Sequence, residues 1–258
     1  MTAPIVCGTD FSSLAEAACD LAHQVAQKQS LPCHLIHVAE DCGQAQAPLR
    51  AAAERLGAGV RVECQQGLPD EVLAQRAEQI GAGLLVVGSL GRRSVSDWLL
   101  GSTAERVVRL SKVPTLVVRQ PERIMAWLAG ERPLRLLLAV SLDGSVEPAL
   151  RWIDGLSRLG PVESLAVQVA GGPHLNDEWY RQESESLQRY CGWSPERCHV
   201  EVCQWSVEEH LLHLAERQNS DLIVMGTRQR TGLERMWRGS VSMAVLRRSQ
   251  VSVACVPG

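Results

Sequence analysis

The sequence predicts an α/β fold of two repeated domains, each a five-stranded parallel, doubly wound sheet. Short apolar runs, typical of strands buried on both faces, alternate with segments of helical spacing along the whole chain. Gly88 and Gly91 follow one such run, and Gly101 precedes a helical pattern, which indicates a junction between a strand and a helix. This layout recurs, because Gly226 and Gly239 follow Gly88 and Gly101 at one offset of 138 residues. Right-handed crossovers leave few other topologies for such an alternation.

Five strands and four helices are predicted in the first copy. The first helix has a capping-box pattern, Ser13 with Glu16 three residues later. The second is expected around 49–56, the third runs from Asp70 until Gly81 ends it, and the fourth starts at Ser102. The predicted strands are 5–10, 33–39, 60–64, 84–87 and 115–119.

The second copy is recognised by identical residues at the 138-residue offset. Near its start the offset is 131, since Glu147 follows Glu16 and Ala149 follows Ala18 at that distance. Seven additional residues therefore enter between its first and third strands, and a longer helix at about 176–190 is expected to contain them. The pairs at offset 138 include Val62 and Val200, Glu63 and Glu201, Leu73 and Leu211, Ala77 and Ala215, Ser102 and Ser240, Arg109 and Arg247, Ser111 and Ser249, and Val118 and Val256.

The domain boundaries follow from this repeat. The first domain is predicted at 1–120, a connector at 121–133 and the second domain at 134–258. The connector has prolines at both ends and apolar residues between them, so we interpret it as a short amphipathic segment that packs on the body of the protein.

Charge and hydropathy exclude several functions. The formal net charge is only −3 and no basic tract occurs, so neither nucleic acid nor an anionic membrane is expected as a partner. No apolar run approaches the roughly 18 residues of a spanning helix, and no basic segment with an apolar stretch follows Met1. A cytoplasmic location is expected.

The nine cysteines are expected to be reduced core thiols, and five of them fall in predicted strands. Cys191, Cys198, His199 and Cys203 lie close together and offer a zinc alternative. We disfavour it, because no Cys-x-x-Cys occurs and neighbouring residues of a strand point to opposite faces. No metal site made of protein ligands is predicted. The five strand cysteines are Cys7, Cys33, Cys64, Cys203 and Cys255.

The glycine segment has the chemistry of an anion site. Gly101 and Ser102 place backbone amides and a hydroxyl at a helix N-terminus, where a negative group is favoured. The pattern is neither a Walker loop nor the Rossmann Gly-x-Gly-x-x-Gly.

Gly-x-x-Gly, nine residues and Gly-Ser resemble the ATP-binding branch of the universal stress proteins, and the resemblance covers nearly the whole chain twice. Asp10-Phe11-Ser12 and the segment 112–118 also resemble that family's first and last strands. The resemblance implies an adenine nucleotide alpha hydrolase-like fold that binds ATP, with Mg or Mn on its phosphates. It implies that Asp10 contacts adenosine, that the backbone of Val38 meets adenine, and that the phosphates are held by Gly88, Gly91, Gly101, Ser102 and Thr103. Arg92 and Arg93 lie inside the same loop and either neutralise further phosphate charge or are merely solvated.

The second copy is expected to bind nucleotide weakly or not at all. Gln229 replaces the middle glycine and Ser141 stands where Asp10 stands, although Asp143 lies near enough to substitute. In the family the fifth strands commonly meet in a dimer, so 115–118 and 251–256 are the expected internal interface of a pseudo-dimer. A homodimer and an unknown protein partner are further expectations.

The expected function is that of an ATP-binding stress-response regulator with no dedicated catalytic residues. Two alternatives remain open: a nucleotide-independent interaction or chaperone-like module, and a slow ATPase. Ser94, Ser96 or Ser102 could accept a phosphoryl group only slowly, because no base is paired with a nucleophile at telling spacing. The histidines are scattered and are interpreted as surface or core residues.

Overall fold

Strands and helices alternate along the chain in the order that the apolar runs predict. The computed structural model describes residues 3–89, 100–141, 146–171, 176–203, 206–227 and 240–258. The chain divides into two compact units, Met1–Glu131 and Arg132–Gly258. Among the described residues, no helix combines the length and the apolar character needed to cross a membrane.

The first unit is a parallel sheet with helices on both faces. Its strands run in the order β3-β2-β1-β4-β5, and every described neighbouring pair is parallel. Its elements are β1 (Ile5–Thr9), α1 (Ser13–Lys28), β2 (Cys33–Val38), α2 (Cys42–Leu56), β3 (Val60–Gln65), α3 (Pro69–Ile80), β4 (Leu84–Gly88), α4 (Ser102–Leu110), β5 (Thr115–Val118) and α5 (Pro121–Leu128).

The order in which successive strands are added to the sheet reverses beside β1, although all strands stay parallel. The chain passes from β1 to β2 on one side and from β4 to β5 on the other, so right-handed crossovers put α1 and α2 on one face and α3 and α4 on the opposite face. Accordingly α1 contacts α2, and α3 contacts α4. The helix α5 packs against α1. Parallel sheets of this kind bind ligands at the carboxyl ends of the strands beside such a switch.

The second unit repeats the architecture, with strand order β8-β7-β6-β9-β10 and parallel pairing throughout its described ladder. A 3₁₀ turn at Pro195–Arg197 precedes β8. The elements are β6 (Leu134–Val140), α6 (Glu147–Ser157), β7 (Val162–Gly171), α7 (Asp177–Cys191), β8 (Cys198–Cys203), α8 (Val207–Arg217), β9 (Leu222–Thr227), α9 (Ser240–Arg248) and β10 (Ser252–Pro257). The predicted fold class is therefore confirmed.

Register reproduces the 138-residue offset of the internal repeat. Gly88 pairs with Val118, and Gly226 pairs with Val256. The helix predicted at about 176–190 is present as α7, but the prediction that it contains the added residues is wrong, because α2 and α7 each have 15 residues. Part of the added length lies instead in β7, which has ten residues where β2 has six, and the 3₁₀ turn precedes β8. Helical periodicity does not distinguish a longer helix from a longer strand with an added turn.

Two predicted helix starts differ from the structure. The N-cap of α1 is Ser12, which has extended backbone angles, and its side chain accepts a hydrogen bond from Ala15 N. Ser13 is the first helical residue, so the predicted capping box is wrong: the N-cap lies one residue earlier, and Ala15 stands where a capping box needs Glu or Gln. The helix α2 begins at Cys42, well before the predicted 49, because the carboxylate of Asp41 caps it at Gly43 N.

The prediction that all cysteines are reduced is wrong for two of them. Cys42, the first residue of α2, forms a disulfide with Cys64 in β3. Because Cys42 lies outside the strands, strand patterning gave no reason to pair it. The other seven cysteines are buried, as expected of core thiols.

Candidate functional site

A tight turn after β1 fixes the carboxylate of Asp10. Its Oδ1 accepts hydrogen bonds from Ser12 N at 3.0 Å and from Ser12 Oγ at 2.6 Å. Thr9 Oγ1 accepts a further bond from Phe11 N at 3.1 Å. Phe11 has φ 60°, a left-handed backbone conformation that is uncommon outside glycine and concentrates at functional sites. Hydrogen bonds that involve Thr9 before Asp10 and Ser12 after it therefore fix the turn.

His37 joins the ends of β1 and β2. Its Nδ1 lies 2.7 Å from the carbonyl oxygen of Thr9, and because a carbonyl only accepts, Nδ1 carries the proton. The imidazole also stacks at a tilt on Phe11, with ring centroids 4.5 Å apart. Sequence reasoning set His37 aside as one of several scattered histidines. The Leu-x-His-Val pattern at the end of a buried strand was the available signal, since it puts the ring at the carboxyl edge.

Val38 is the last residue of β2 and is half-buried. It pairs with Gln65 of β3, and the next residue, Ala39, donates its amide to Gln65 O at 3.0 Å. The predicted adenine contact therefore lies on a strand end that is hydrogen-bonded to its neighbour.

The end of β4 lies beside the start of α1. A Cβ built on Gly88 would stand 3.4 Å from Ala15 N and 3.5 Å from Leu14, so this strand end packs closely on the first turn of α1. Ser89, which is buried, donates its amide to Val118 O at 3.1 Å. Gly88 is thereby held near the turn that carries Asp10.

Gly101 lies beside Ser89, the residue that follows β4. Its amide donates to Ser89 O at 2.7 Å, so the start of α4 lies beside the end of β4. Gly101 is the N-cap of α4 and supplies no side chain to cap it. Within the described part of the chain, the amides of Ser102, Thr103 and Ala104 have no acceptor. Three donors at a positive helix end fit a group with several anionic oxygens, such as a phosphate chain.

The carboxyl edge also holds a positive charge that the sequence analysis did not single out. Arg119 follows β5 directly and is only 7% exposed. Burial lowers the pKa of its guanidinium below the ordinary value. Because Gly88 pairs with Val118, Arg119 lies at the same edge of the sheet as Gly88.

The structure brings together Asp10, Gly88 and Gly101, and it places Ser102 and Thr103 in the first turn of α4. Val38 ends the adjacent strand β2. Gly91 and Arg92 lie outside the described residues. The contact of these residues with a nucleotide stays a prediction.

The second unit differs at this edge. Gly226 occupies the place of Gly88 in β9 but is exposed, and Ser141 follows β6 where Asp10 follows β1. Asp143, Gln229 and Gly239 lie outside the described residues. Among the described residues, no group of three or more His, Cys, Asp or Glu side chains could hold a metal ion.

The fold defines a doubly wound α/β protein, and its candidate site consists of strand ends and one helix N-terminus. The chain belongs to the universal stress protein family: the model of the "Universal stress protein family" matches residues 41–119 and again 158–257. The predicted tandem arrangement of two such domains is therefore confirmed.

Curated relatives have the same description. A universal stress protein of Mycobacterium tuberculosis is 32% identical over 185 residues, which cover 67% of this chain and 61% of the relative. One from Methanocaldococcus jannaschii is 33% identical over 84 residues, 33% of this chain and 49% of the relative. The chain thus matches only about half to three fifths of the length of these relatives.

A solved universal stress protein structure from Archaeoglobus fulgidus has the same fold over the whole chain. Its TM-score is 0.74 at 19% identity, and the match covers 100% of this chain and 99% of that one. This likeness supports the fold alone.

Proposed function

We propose that the first unit binds an adenine nucleotide, ATP with Mg²⁺ or Mn²⁺, and that the protein is a nucleotide-binding regulator of the stress response. The observation that carries the proposal is the meeting of Asp10, Gly88 and Gly101 beside an α4 N-terminus that no side chain caps. Membership of the universal stress protein family supports it.

Each part of the nucleotide has a fitting group. The fixed carboxylate of Asp10 can accept hydrogen bonds from ribose hydroxyls, and the strand end at Val38 offers backbone groups to adenine. The cation would be held by the phosphates themselves. The phosphate-binding residues of the proposal are Gly88, Gly101, Ser102 and Thr103, together with Gly91 and Arg92 from the sequence motif.

We infer that the second unit binds ATP weakly or not at all. Ser141 offers a hydroxyl in place of the Asp10 carboxylate, and Gln229 adds a side chain where the motif has a glycine. The protein is proposed to hold one nucleotide per chain, without a dedicated catalytic residue.

Calorimetric titration of the full chain with ATP and Mg²⁺ tests the proposal. We expect one site per chain in the natural sequence and no measurable site in Gly101→Glu, because a carboxylate there repels phosphate. Gly101 has φ −63° and ψ 140°, which any L-residue adopts, so this variant is expected to fold. Gly239→Glu is the matched control in the second unit and is expected to keep the site.

The outcomes separate the hypotheses. Two equivalent sites would contradict the asymmetry of the units. No binding by the natural sequence, and no nucleotide in native mass spectra, would refute the proposal and favour a nucleotide-independent module. Phosphate release that disappears in Gly101→Glu would favour a slow ATPase.

A further inference from the structure

The disulfide between Cys42 and Cys64 joins two elements next to the proposed adenine end of the site. Cys42 is the first residue of α2, and Cys64 lies in β3 directly opposite His37 of β2. Both cysteines are half-buried, whereas the other seven are buried. The bond is therefore within reach of a small thiol in solution.

The helix α2 lies against β3, β2 and α1 but buries few side chains there. Of its 15 residues only Ala45 and Leu49 are buried, and it contains Pro48, which cannot donate a helical hydrogen bond. At its C-terminal end, Arg55 pairs with Asp20 of α1, but both side chains are more than a third exposed. An exposed ion pair contributes little to stability. The disulfide is thus the main anchor of the N-terminal end of α2.

Only residues 39–41 separate this anchor from Val38. Ala39 N donates to Gln65 O at 3.0 Å, and Gln66 Nε2 donates to Glu40 O at 2.8 Å. Gln65, which accepts the first of these bonds, and Gln66, which donates the second, directly follow Cys64 in the chain. The disulfide and these two hydrogen bonds therefore fix residues 39–41, which directly follow Val38, the proposed adenine contact.

We propose that Cys42 and Cys64 form a reversible redox site that sets the nucleotide affinity of the first unit. In the oxidised state the segment 39–41 is ordered before the ligand arrives, and pre-organisation improves affinity. In the reduced state this segment and the first turn of α2 gain conformational freedom, which binding must remove. The inference rests on the proposed nucleotide function.

The chemistry is thiol–disulfide exchange with a low-molecular-weight thiol such as glutathione. A thiolate attacks one sulfur of the protein disulfide, the S–S bond breaks, and a mixed disulfide forms with release of one protein thiolate. A second thiol then displaces the remaining protein cysteine. Two electrons and two protons pass to the protein cysteines, and the small thiol leaves as its disulfide.

The redox site is confined to the first unit. Val202 stands at the 138-residue offset from Cys64, so a corresponding bond cannot form in β8. The second unit instead has Cys191 and Cys198 side by side, both buried, with burial raising the pKa of the Cys191 thiol to about 12. Cys191 therefore provides a matched control cysteine.

The test titrates ATP and Mg²⁺ into the full chain, once oxidised with glutathione disulfide and once reduced with dithiothreitol. We expect ATP to bind about tenfold more weakly to the reduced protein, and equally weakly to Cys42→Ser under both conditions. Cys191→Ser is expected to respond like the natural sequence. By linkage, saturating ATP should lower the midpoint potential of the pair by about 30 mV in glutathione buffers, the equivalent of tenfold for two electrons.

Equal ATP affinity of the oxidised and reduced protein would overturn this inference and leave the proposed function standing. Failure of both forms to bind ATP would overturn the proposed function and the inference with it. Failure of the bond to form in any glutathione buffer would overturn the redox site alone.

Discussion

Ser12 donates two hydrogen bonds to one oxygen of Asp10, from its amide at 3.0 Å and from its hydroxyl at 2.6 Å. The same hydroxyl accepts a bond from Ala15 N at 3.3 Å, so it connects the carboxylate to the first turn of α1. The orientation of Asp10 is therefore set by the helix cap before a ligand arrives. Pre-organisation of this kind reduces the cost of ordering a binding group.

Replacement of Asp10 tests the role of this carboxylate. Asp10→Ala is expected to weaken ATP binding at least tenfold, since a hydrogen bond to a charged group contributes about 1.5–3 kcal/mol. Asp10→Asn keeps an oxygen for Ser12 but loses the charge, so an intermediate affinity is expected. Calorimetry measures the affinity for ATP. Thermal unfolding is the control that shows whether the substitution has disturbed the turn. Unchanged ATP affinity in Asp10→Ala would exclude the carboxylate from the site.

The ion pair between Asp70 and Arg106 supports α4 from the side of α3. Arg106 Nη2 lies 3.1 Å from Asp70 Oδ1, and the side chains are 52% and 5% exposed respectively. Arg106→Ala is expected to cost about 1–2 kcal/mol of unfolding free energy, because it removes the countercharge of a buried carboxylate, although solvent already screens the half-exposed guanidinium. Asp70→Ala should cost less, since the remaining guanidinium is solvated. Urea denaturation measures both.

A matched control for this pair lies in the same helix. Arg109 forms an i, i+4 pair with Glu105, and its side chain is 39% exposed. Arg109→Ala should cost only about 0.2–0.5 kcal/mol. If Arg106→Ala cost no more than Arg109→Ala, the Asp70 pair would have no supporting role.

The strand and helix ends at the site could be predicted from the sequence because glycines mark them locally. Gly88 ends a four-residue apolar run and Gly101 precedes a helical pattern, so both positions follow from punctuation and periodicity. Asp10 likewise follows an apolar strand. Such signals depend on residues that are neighbours in the chain.

The contacts that could not be predicted connect residues distant in the chain. Cys42 pairs with Cys64 only because β3 lies beside β2 in a register that places Cys64 opposite His37. The bond between His37 and Thr9 depends in the same way on β1 lying beside β2. Strand order and register come from the packing of the whole sheet, which periodicity does not encode.

His34 makes the stability of the first unit depend on pH. It is buried in β2 with Nδ1 3.6 Å from Glu63 Oε1, and burial lowers the pKa of its imidazole. The unfolded chain takes up this proton near the ordinary value of about 6.5, whereas the folded protein does so at lower pH. Stability is therefore complete above about pH 6.5 and falls as the pH drops from there towards the lowered pKa.

His34→Gln should flatten this part of the profile, measured as unfolding free energy in urea between pH 7.5 and 5.5. His199, exposed on β8, provides the control, and His199→Gln should leave the profile of the first unit unchanged. Below about pH 4.5 a second loss is expected from Glu63. Burial is the largest single influence and raises the pKa of this carboxyl, but the hydrogen bonds and positive charge of Arg76, together with hydrogen bonds from Gln65 and His34, outweigh it and leave the pKa lowered.

Asp221 is expected to stabilise the second unit strongly. Its side chain is fully buried, Arg132 donates to both carboxylate oxygens at 3.1 and 2.8 Å, and Arg135 N donates at 2.9 Å. Asp221→Ala should cost about 3–5 kcal/mol of unfolding free energy, because three hydrogen bonds to a buried charged group are lost. Glu163→Ala, which removes an exposed partner of Arg135, should cost under about 1 kcal/mol. Equal effects in urea denaturation would contradict this assignment.

The cysteines are expected to differ sharply in reactivity. Burial raises the pKa of Cys33 to about 12, and in Cys7 the hydrogen bond with Cys19 and burial raise the pKa well above its ordinary value. The hydrogen bond with Cys7 lowers the pKa of Cys19, but this thiol is only 2% exposed. Alkylation with iodoacetamide requires an accessible thiolate.

Native oxidised protein should therefore take up almost no label at pH 8 within minutes, as read by mass spectrometry. After mild reduction Cys42 and Cys64 should be the two that react, because they alone are half-buried among the nine cysteines. Reduced, urea-unfolded protein should take up nine labels. Rapid labelling of Cys7 or Cys19 in the folded protein would show that the core of the first unit opens without reduction of the disulfide, and the half-buried pair would then not be the preferred target.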